Sequence, residues 1–402
     1  MAALRLLFVS MHTSPAETPG AGDAGGMNVV ELHQACSLAS LGHRVDFVTR
    51  RSDPDQPDLM EIAPGVTLRH LPAGPPAPLA KSAIDAHVDE FAAGIAALER
   101  PDLVQSHHWM SGVAAIDAAA AWGVPHVQSY HSVAALPGSP LSEGEPPESD
   151  ARVAGEALLA RRSDAIIAVS TAEARTVVER CGTDPNRVIV IPPGVDLDVF
   201  RPAAPTEERP ACPWCGSRAG YLLMAARLQP LKGADLAIRA LAEVPAFMRP
   251  DLMIAGDISE DFADYRAEVE RLIDDLGMHS HVHFVGAQGR PDLARLMRHS
   301  QALLVPSHSE TFGLVALEGA ASGVPVLASS TGGLREVVVH EETGYLMHDR
   351  EPDSWGTALI RLLVDEPLRQ RMATIARVHA RRFAWHDIGL QLASTYETLI
   401  AR

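Results

Sequence analysis

Short apolar segments alternate with segments of helical periodicity along almost the whole chain, and this alternation constrains the fold more than any other feature. A strand-like segment at residues 4–11 is followed by helical apolar spacing at 27–41. The same order restarts with a strand-like segment at 221–225 and a helical segment at 234–244. Strands separated by helices of this length form βαβ units, which place the strands in parallel sheets. The sequence therefore predicts an α/β protein with doubly wound parallel sheets.

The alternation is interrupted once, between residues 200 and 220. This stretch contains Pro202, Pro205, Pro210 and Pro213 and shows no periodicity, which is typical of a linker. A chain of 402 residues is long enough for two domains of ordinary size, each with its own core. We therefore predict a domain over 1–200, a linker over 201–220 and a second domain over 221–384, with a cleft between the domains.

Charge and composition argue against several classes of protein. The net charge of −17 makes binding to nucleic acid or to an anionic membrane unfavourable. No apolar run approaches the roughly 18 residues of a membrane span. The first residues are typical of a β-strand rather than a signal peptide, and four cysteines do not make a disulfide scaffold. We therefore expect a protein of the reducing cytoplasm.

Lysine is rare in this chain. Of the 34 Lys and Arg residues, only Lys81 and Lys232 are lysines. A codon bias explains the excess of arginine, and under such a bias a lysine is expected where a compact ammonium is needed and a planar guanidinium does not fit. Both lysines are therefore candidate functional residues.

The first domain has a glycine-rich loop, PGAGDAGGMN, over residues 19–28. Gly20, Gly22 and Gly25 match the spacing of a dinucleotide fingerprint, but the loop follows the first strand at too great a distance for that tight turn. We therefore favour a second interpretation, in which Gly25 and Gly26 begin a helix whose free N–H groups attract an anion. A surface loop without a ligand remains the alternative.

In the second domain, Arg227 and Lys232 lie between a predicted strand and a predicted helix. Ligands of open α/β sheets bind in the crevice at the carboxyl ends of the strands, so both cations would face that crevice. Arginine can bind two phosphate oxygens and lysine one. The pair is therefore a candidate phosphate site, with a solvated loop as the alternative.

Two glutamates, Glu310 and Glu318, stand eight residues apart, and a helix is predicted to begin at about Phe312. The N–H groups of Gly313 and Leu314 would then point at a diphosphate. The two carboxylates would lie about 10–12 Å apart along the helix, which suits the hydroxyl groups of a folded nucleotide sugar.

Other patterns are interpreted as structural. The acidic pairs Asp53/Asp55 and Asp196/Asp198 lie in turn-forming sequences, and we predict no metal site. Cys212 and Cys215 form a CxxC pair with no second pair to complete a zinc site. Among the histidines, His107, His108 and His131 stand out because each lies at the carboxyl end of a predicted strand.

Taken together, these motifs resemble the retaining GT-B glycosyltransferases of family 4. The stretches that carry the resemblance are GDAGGMNVV, SHHWMSG, PPGVDLDVFRP and ETFGLVALE, and it extends over nearly the whole chain. It implies the GT-B fold, in which two Rossmann-like domains face a central cleft. The first domain would bind the acceptor and the second the nucleotide sugar, and a C-terminal helix over 385–402 would return to the first domain.

The resemblance also implies roles for the donor-site residues. Arg227 and Lys232 would hold the diphosphate, Glu318 the ribose and Glu310 the donor sugar. Gly26 would approach the phosphates and His131 the sugar hydroxyls. The implied catalytic set is His131, Arg227, Lys232 and Glu310. The implied donor set is Gly25, Gly26, Arg227, Lys232, Glu310, Phe312, Gly313, Leu314 and Glu318. The co-substrate would be a UDP- or GDP-sugar, with no further cofactor and no metal.

For the acceptor, the matching positions are Asn28, Lys81, His108, Ser132 and Arg152. The resembled enzymes have tyrosine and threonine where this chain has His108 and Ser132, and all of these side chains can bind an anion. The implied reaction is sugar transfer with retention to a small polar acceptor with an anionic group, such as an inositol phosphate in mycothiol-type biosynthesis. No carboxylate is evidently placed as a nucleophile, so the resemblance implies same-face substitution.

Three other functions were weighed. A paralogue in natural-product biosynthesis would glycosylate an aminocyclitol or a carboxylate-bearing thiol metabolite, as in lincosamide-type assembly. A nucleotide-sugar epimerase is disfavoured by the Glu310/Glu318 pair, and a non-catalytic binding module by the complete set of charged residues. The partners expected are small molecules alone, with neither nucleic acid nor membrane. The sequence leaves homodimerisation, the sugar and the base open.

Overall fold

The computed structural model describes residues 3–17, 25–134, 149–208, 220–258 and 262–402. Gly20, Gly22, Cys212 and Cys215, together with much of the predicted linker, lie outside these ranges. Within them, the strands form two separate sheets, one of eight strands and one of six. The prediction of an α/β protein with two doubly wound sheets is confirmed.

The first sheet has the strand order β3-β4-β2-β1-β5-β6-β7-β8. Its strands are β1 (Arg5–Val9), β2 (Arg44–Arg50), β3 (Leu59–Ala63), β4 (Val66–Leu71), β5 (Leu103–His107), β6 (His126–Ser129), β7 (Ala165–Ala168) and β8 (Val188–Val190). The helices between and beside them are α1 (Gly26–Ser40), α2 (Lys81–Ile84), α3 (Val88–Ala96), α4 (Trp109–Trp122), α5 (Asp150–Arg162) and α6 (Thr171–Cys181).

The second sheet has the order β11-β10-β9-β12-β13-β14. Its strands are β9 (Tyr221–Ala225), β10 (Asp251–Ala255), β11 (Val282–Gly286), β12 (Leu303–Val305), β13 (Val326–Ser329) and β14 (Gly344–Met347). Its helices are α7 (Ala234–Ala242), α8 (Ala263–Asp275), α9 (Arg290–His299), α10 (Leu314–Ala321), α11 (Leu334–Val337), α12 (Pro352–Val364) and α13 (Glu366–Ala380). The chain closes with α14 (Trp385–Ile400).

Each sheet has an apolar core on both faces, which explains why central strands such as β1 and β9 are almost uniformly hydrophobic. In β1, Leu7 packs in one apolar cluster and Phe8 in the cluster on the opposite face. In β9, Leu222 and Leu223 are divided between two clusters in the same way. Successive side chains of a strand point to opposite faces, so a strand covered by helices on both sides must be apolar throughout.

The final helix belongs to the core of the first sheet. Ile388, Leu392 and Tyr396 of α14 lie in the same apolar cluster as Phe8 of β1. Trp385 stacks on His33 of α1 at 5.0 Å between ring centroids. The helix therefore crosses from the second sheet back to the first, while the exact domain limits stay a prediction.

Two details differ from the sequence-based expectations. β3 pairs with β4 in the antiparallel direction, although the periodicity favoured parallel strands alone. Helix α10 begins at Leu314 instead of about Phe312, because Gly313 adopts a φ of 100° as its N-cap. Glu318 consequently lies one turn into the helix, not two. In the described residues, we find no helix both long and apolar enough to cross a membrane.

Candidate active site

Four histidines cluster where the central strands of the first sheet end. His12 follows β1, His107 ends β5 and His108 follows it, and His131 follows β6. The rings of His12 and His108 are 4.2 Å apart between centroids. His107 Nδ1 and His131 Nε2 are 2.8 Å apart, so one of these two nitrogens donates a hydrogen bond to the other. Neighbouring parallel strands bring together side chains that are more than 90 residues apart in sequence.

His107 and His108 are buried, His12 and His131 are half-buried, and the lowered pKa values of all four imidazoles keep them neutral at pH 7. Burial lowers the pKa of His131 to about 4 and holds the pKa values of His12 and His108 well below the usual range. The positive charges of Lys81 and Arg152 lower both of the latter further. Neither ring nitrogen of His108 has a hydrogen-bond partner among the described residues, and the same holds for His12 Nδ1. A buried polar atom without a partner is costly, so these atoms are available to a bound ligand.

Two cations, Lys81 and Arg152, lie near these histidines, and hydrogen bonds fix the position of Arg152. Arg152 Nε donates to Glu156 Oε1 at 2.8 Å, and Arg152 also donates to the hydroxyl and the carbonyl oxygen of Ser132. Lys81 is the first residue of α2 and is half-buried. The structure thus brings Lys81, His108, Ser132 and Arg152 into one region.

Two residues in this region have a strained backbone. His108 has a φ of 71° and His131 a φ of 59°, in the region that L-residues with a full side chain rarely adopt. Such conformations cost of the order of 1–3 kcal/mol and are concentrated at functional sites. The fold therefore holds both imidazoles in place at the expense of local stability.

The start of α1 faces open space. A Cβ added to Gly25 or Gly26 would meet no described atom within 4 Å, so the packing of the described residues does not itself require glycine there. Asn28 is different, because its side-chain amide is buried and already bonded. Its oxygen accepts from Gly25 N–H at 2.9 Å, and its nitrogen donates to Thr13 Oγ1 and to the carbonyl of Ser14 at 2.7 Å. Asn28 therefore shapes the loop that precedes α1.

On the second sheet, Lys232 and Glu310 form an ion pair with Nζ and Oε2 2.8 Å apart. Lys232 ends the 3₁₀ turn that follows β9, and Glu310 lies in the loop between β12 and α10. Gly233 connects that turn to α7 with a φ of 72°, and a Cβ there would lie 2.2 Å from the carbonyl oxygen of Pro306. Only glycine fits this position. Because the backbone at Gly233 packs against Pro306, the neighbouring Lys232 lies close to the end of β12.

Glu318 is buried in α10 and pairs with Arg290, at 2.9 Å between Oε1 and NH1. Burial raises the pKa of the Glu318 carboxyl, and the charge and hydrogen bond of Arg290 oppose that shift. Phe312 is buried directly before Gly313, and the amides of the first turn of α10 begin at Leu314. The N-terminus of this helix thus lies between the two glutamates.

The two halves of the site are electrostatically connected. The charge of Arg227, which follows β9 of the second sheet, lowers the pKa of His12, which follows β1 of the first. His12 and Arg290 were not predicted from the sequence. His12 carried the same signal as His131, a histidine just beyond a strand, whereas Arg290 could be recognised only from its contact with Glu318.

Models of two protein families match the chain. A model described as "Glycosyl transferase 4-like domain" matches residues 25–194, and one described as "Glycosyl transferases group 1" matches residues 217–379. Together they cover the second sheet, the first sheet except β1, and most of the described site.

Similar proteins extend over the full chain. A D-inositol 3-phosphate glycosyltransferase from Stackebrandtia nassauensis is 37% identical over 99% of this chain and 92% of its own length. The enzyme of that name from Nocardiopsis dassonvillei is 38% identical over 99% and 95%. The solved sucrose-phosphate synthase from Thermosynechococcus elongatus has a TM-score of 0.87 and 26% identity, with 99% of both chains covered. HepE from Anabaena, solved with UDP-glucose, shares the fold at a TM-score of 0.76 and 21% identity, over 98% of this chain and 100% of HepE.

Proposed function

Since this chain belongs to the group 1 glycosyltransferases and has the GT-B fold, we propose that it transfers a sugar from a UDP- or GDP-sugar to a small polar acceptor with an anionic group, such as an inositol phosphate. Glycosyl transfer follows from the family models and from relatives of 37–38% identity over nearly the whole chain. The finer assignment of the acceptor rests on the geometry of the first sheet and on the names of those relatives.

One observation carries the choice of an anionic acceptor. The positive charges of Lys81, Arg152 and Arg227 all act on His12, and His12 packs against His108, whose two ring nitrogens lack described partners. An acceptor with a phosphate and several hydroxyls would place a negative charge close to these cations and would supply hydrogen-bond partners for His108. A neutral acceptor would supply the hydrogen bonds alone.

The donor fits the second sheet. In our proposal Arg227 and Lys232 bind the diphosphate together with the N–H groups at the start of α10, and Gly25 and Gly26 let the first domain approach it. Glu310 binds hydroxyls of the sugar and Glu318 those of the ribose. Residues 1–200 then form the acceptor domain and residues 221–384 the donor domain. Donor binding would exchange the Lys232–Glu310 ion pair for contacts of each side chain with the ligand.

The chemistry proposed is substitution on one face of the sugar. The bond from the anomeric carbon to the diphosphate oxygen breaks, and the acceptor oxygen bonds to that carbon on the same face. The departing diphosphate takes the proton of the acceptor hydroxyl. Arg227, Lys232 and the α10 amides stabilise its charge, which is the largest contribution expected from preorganised groups. The neutral imidazole of His131 would offer a hydrogen bond to the sugar without adding a charge.

The function is tested in two steps. Thermal-shift titration with UDP, GDP, UDP-glucose, UDP-N-acetylglucosamine and GDP-mannose identifies the nucleotide, because a ligand of the folded state raises Tm by mass action. The best donor is then assayed with D-inositol 3-phosphate and, as a matched control, with myo-inositol. We expect transfer to the phosphate ester alone, with NMR showing the anomeric configuration of the donor in the product.

The possible results separate the candidate functions. Equal transfer to myo-inositol would contradict the anionic acceptor. Transfer to a carboxylate-bearing acceptor in preference to the phosphate ester would support the natural-product alternative. An inverted product would contradict same-face substitution.

A further inference from the structure

The loop that carries Glu310 is connected to the first sheet as well as to the second. Ser170 lies between β7 and α6 of the first sheet, and its Oγ donates to the carbonyl oxygen of Thr311 at 2.7 Å. The next residue, Thr171, donates its backbone N–H to Glu336 Oε1, also at 2.7 Å. Val169, directly before Ser170, packs in the same apolar cluster as Phe312. Three consecutive residues of the first sheet thus contact the region around Glu310.

The backbone of Glu310 is confined from the other side by two glycines. The carbonyl oxygen of Glu310 accepts from Gly333 N–H at 3.1 Å. Gly332 has a φ of 49°, and a Cβ there would lie 1.7 Å from that same oxygen. Glu336, the acceptor for Thr171 N–H, lies in α11, which begins directly after Gly333. Ser170 therefore contacts the loop that carries Glu310, and Thr171 contacts the helix that follows the two glycines.

The hydroxyl of Ser170 makes two hydrogen bonds, one as acceptor and one as donor. Ser170 is fully buried and is the N-cap of α6, and its Oγ accepts from Glu173 N–H at 3.0 Å. A serine hydroxyl has a single proton to donate, and that proton is directed to Thr311. The same side chain therefore caps the start of a helix beside the first sheet and holds the Glu310 loop of the second.

We propose that Ser170 is a positioning residue for Glu310, linking the first domain to the donor-sugar carboxylate through the carbonyl of Thr311. The inference rests on the proposed function, in which Glu310 binds the donor sugar. Ser170 contacts no substrate in this account. Its hydrogen bond fixes the position of the loop between β12 and α10. It thereby sets the distance of the Glu310 carboxylate from the sugar hydroxyls and from Lys232.

The test is a double-mutant cycle between Ser170→Ala and Glu310→Gln, measured with the donor and acceptor that give the highest turnover in the screen above. A hydrogen bond between neutral groups of this kind accounts for about a 3- to 10-fold effect, so we expect Ser170→Ala to lower kcat by that factor. The Kd for UDP alone, measured by calorimetry, should stay within about twofold. In the Glu310→Gln background the same substitution should cause no further loss of kcat, because the carboxylate that it positions is already gone.

Two controls separate positioning from loss of stability. Asp365→Ala removes another helix cap, the Asp365 carboxylate that accepts from Leu368 N–H at 2.8 Å at the start of α13. It should lower Tm, as the loss of a helix cap does, and leave kcat unchanged. Thr171→Ala changes an exposed side chain while keeping the backbone N–H that bonds to Glu336, so it should behave like the wild type.

A further variant covers the case in which Ser170→Ala does not fold. Glu336→Ala removes the acceptor of the second contact from a partly exposed position, and we expect about a 2- to 3-fold loss of kcat that again vanishes with Glu310→Gln.

The outcomes are distinguishable. Equal losses from Ser170→Ala in both backgrounds, or no loss in either, would overturn the positioning role and leave the donor site intact. Full activity of Glu310→Gln itself would overturn the donor-site assignment and the positioning role with it.

Discussion

The two sheets supply the candidate site with polar groups in opposite ways. On the second sheet the carboxylates are paired in the free protein, Lys232 with Glu310 and Arg290 with Glu318. On the first sheet, His108 is buried and His12 half-buried, both are neutral, and three of their four ring nitrogens have no hydrogen-bond partner among the described residues. A ligand of the second sheet must therefore exchange existing ion pairs, while a ligand of the first supplies missing partners. We expect cations to bind negative groups on both sides, with new hydrogen bonds to the histidines as an additional contribution on the acceptor side.

The sharpest test of the donor side is removal of its cations. Lys232→Ala and Arg227→Ala should each lower kcat by more than tenfold, because each removes charge stabilisation of the leaving diphosphate, worth about 2–4 kcal/mol at preorganised sites. Circular dichroism and Tm should show that both variants are folded. Activity near that of the wild type in either variant would contradict the phosphate site and remove the contrast between the sheets.

On the acceptor side, Lys81→Ala should raise the KM for the anionic acceptor by about 10- to 100-fold, since a hydrogen bond to a charged group contributes about 1.5–3 kcal/mol. The KM for the donor should stay nearly constant. Steady-state kinetics with each substrate varied in turn distinguishes the two. An equal rise in both values would show that Lys81 does not discriminate between acceptor and donor, and would favour a neutral acceptor.

The buried histidines predict that acid destabilises the first sheet. Burial lowers the pKa of His131 from 6.5 to about 4, so the unfolded chain binds more protons than the folded one between these values. This contribution to stability is fully present above pH 6.5 and is lost as the pH falls towards 4. By pH 4 the loss should be of the order of 2–3 kcal/mol for this group.

Urea unfolding at pH 7, 5.5 and 4.5 measures this dependence. His131→Asn should flatten it, because asparagine does not titrate and tolerates the positive φ at this position. An unchanged pH dependence in the variant would mean that folding does not lower the pKa of His131.

The smallest effect is expected from chelation. In the described part of the chain, no three His, Cys, Asp or Glu side chains are grouped so that they could hold a metal ion. Asp53 and Asp196 instead accept backbone N–H groups two residues on, as in turns. EDTA should therefore change the rate by less than about twofold, with Arg227 and Lys232 neutralising the diphosphate. Complete loss on chelation, restored by a divalent ion, would show that a metal shares this role.

The candidate site could be predicted only in part. Lys232 was predicted because it is one of two lysines and lies between a strand and a helix, and Glu310 because it stands eight residues from Glu318 across the start of a helix. Their 2.8 Å ion pair was not predicted, since 78 residues separate them. Asn28 was expected to face the acceptor, yet its amide is taken up by Gly25, Thr13 and Ser14.

The sequence by itself determined the class of fold, because helix and strand periodicity are local properties that a window of 10–15 residues expresses. It also determined which loops carry polar groups, since the motifs lie between periodic segments. Only the tertiary structure decided that His12 joins His108, that Arg290 neutralises Glu318 and that Ser170 holds the loop of Glu310. Each of these contacts joins residues 28 to 141 positions apart. Such pairs form when strand order and helix packing bring distant segments together, and no local pattern of residues encodes that arrangement.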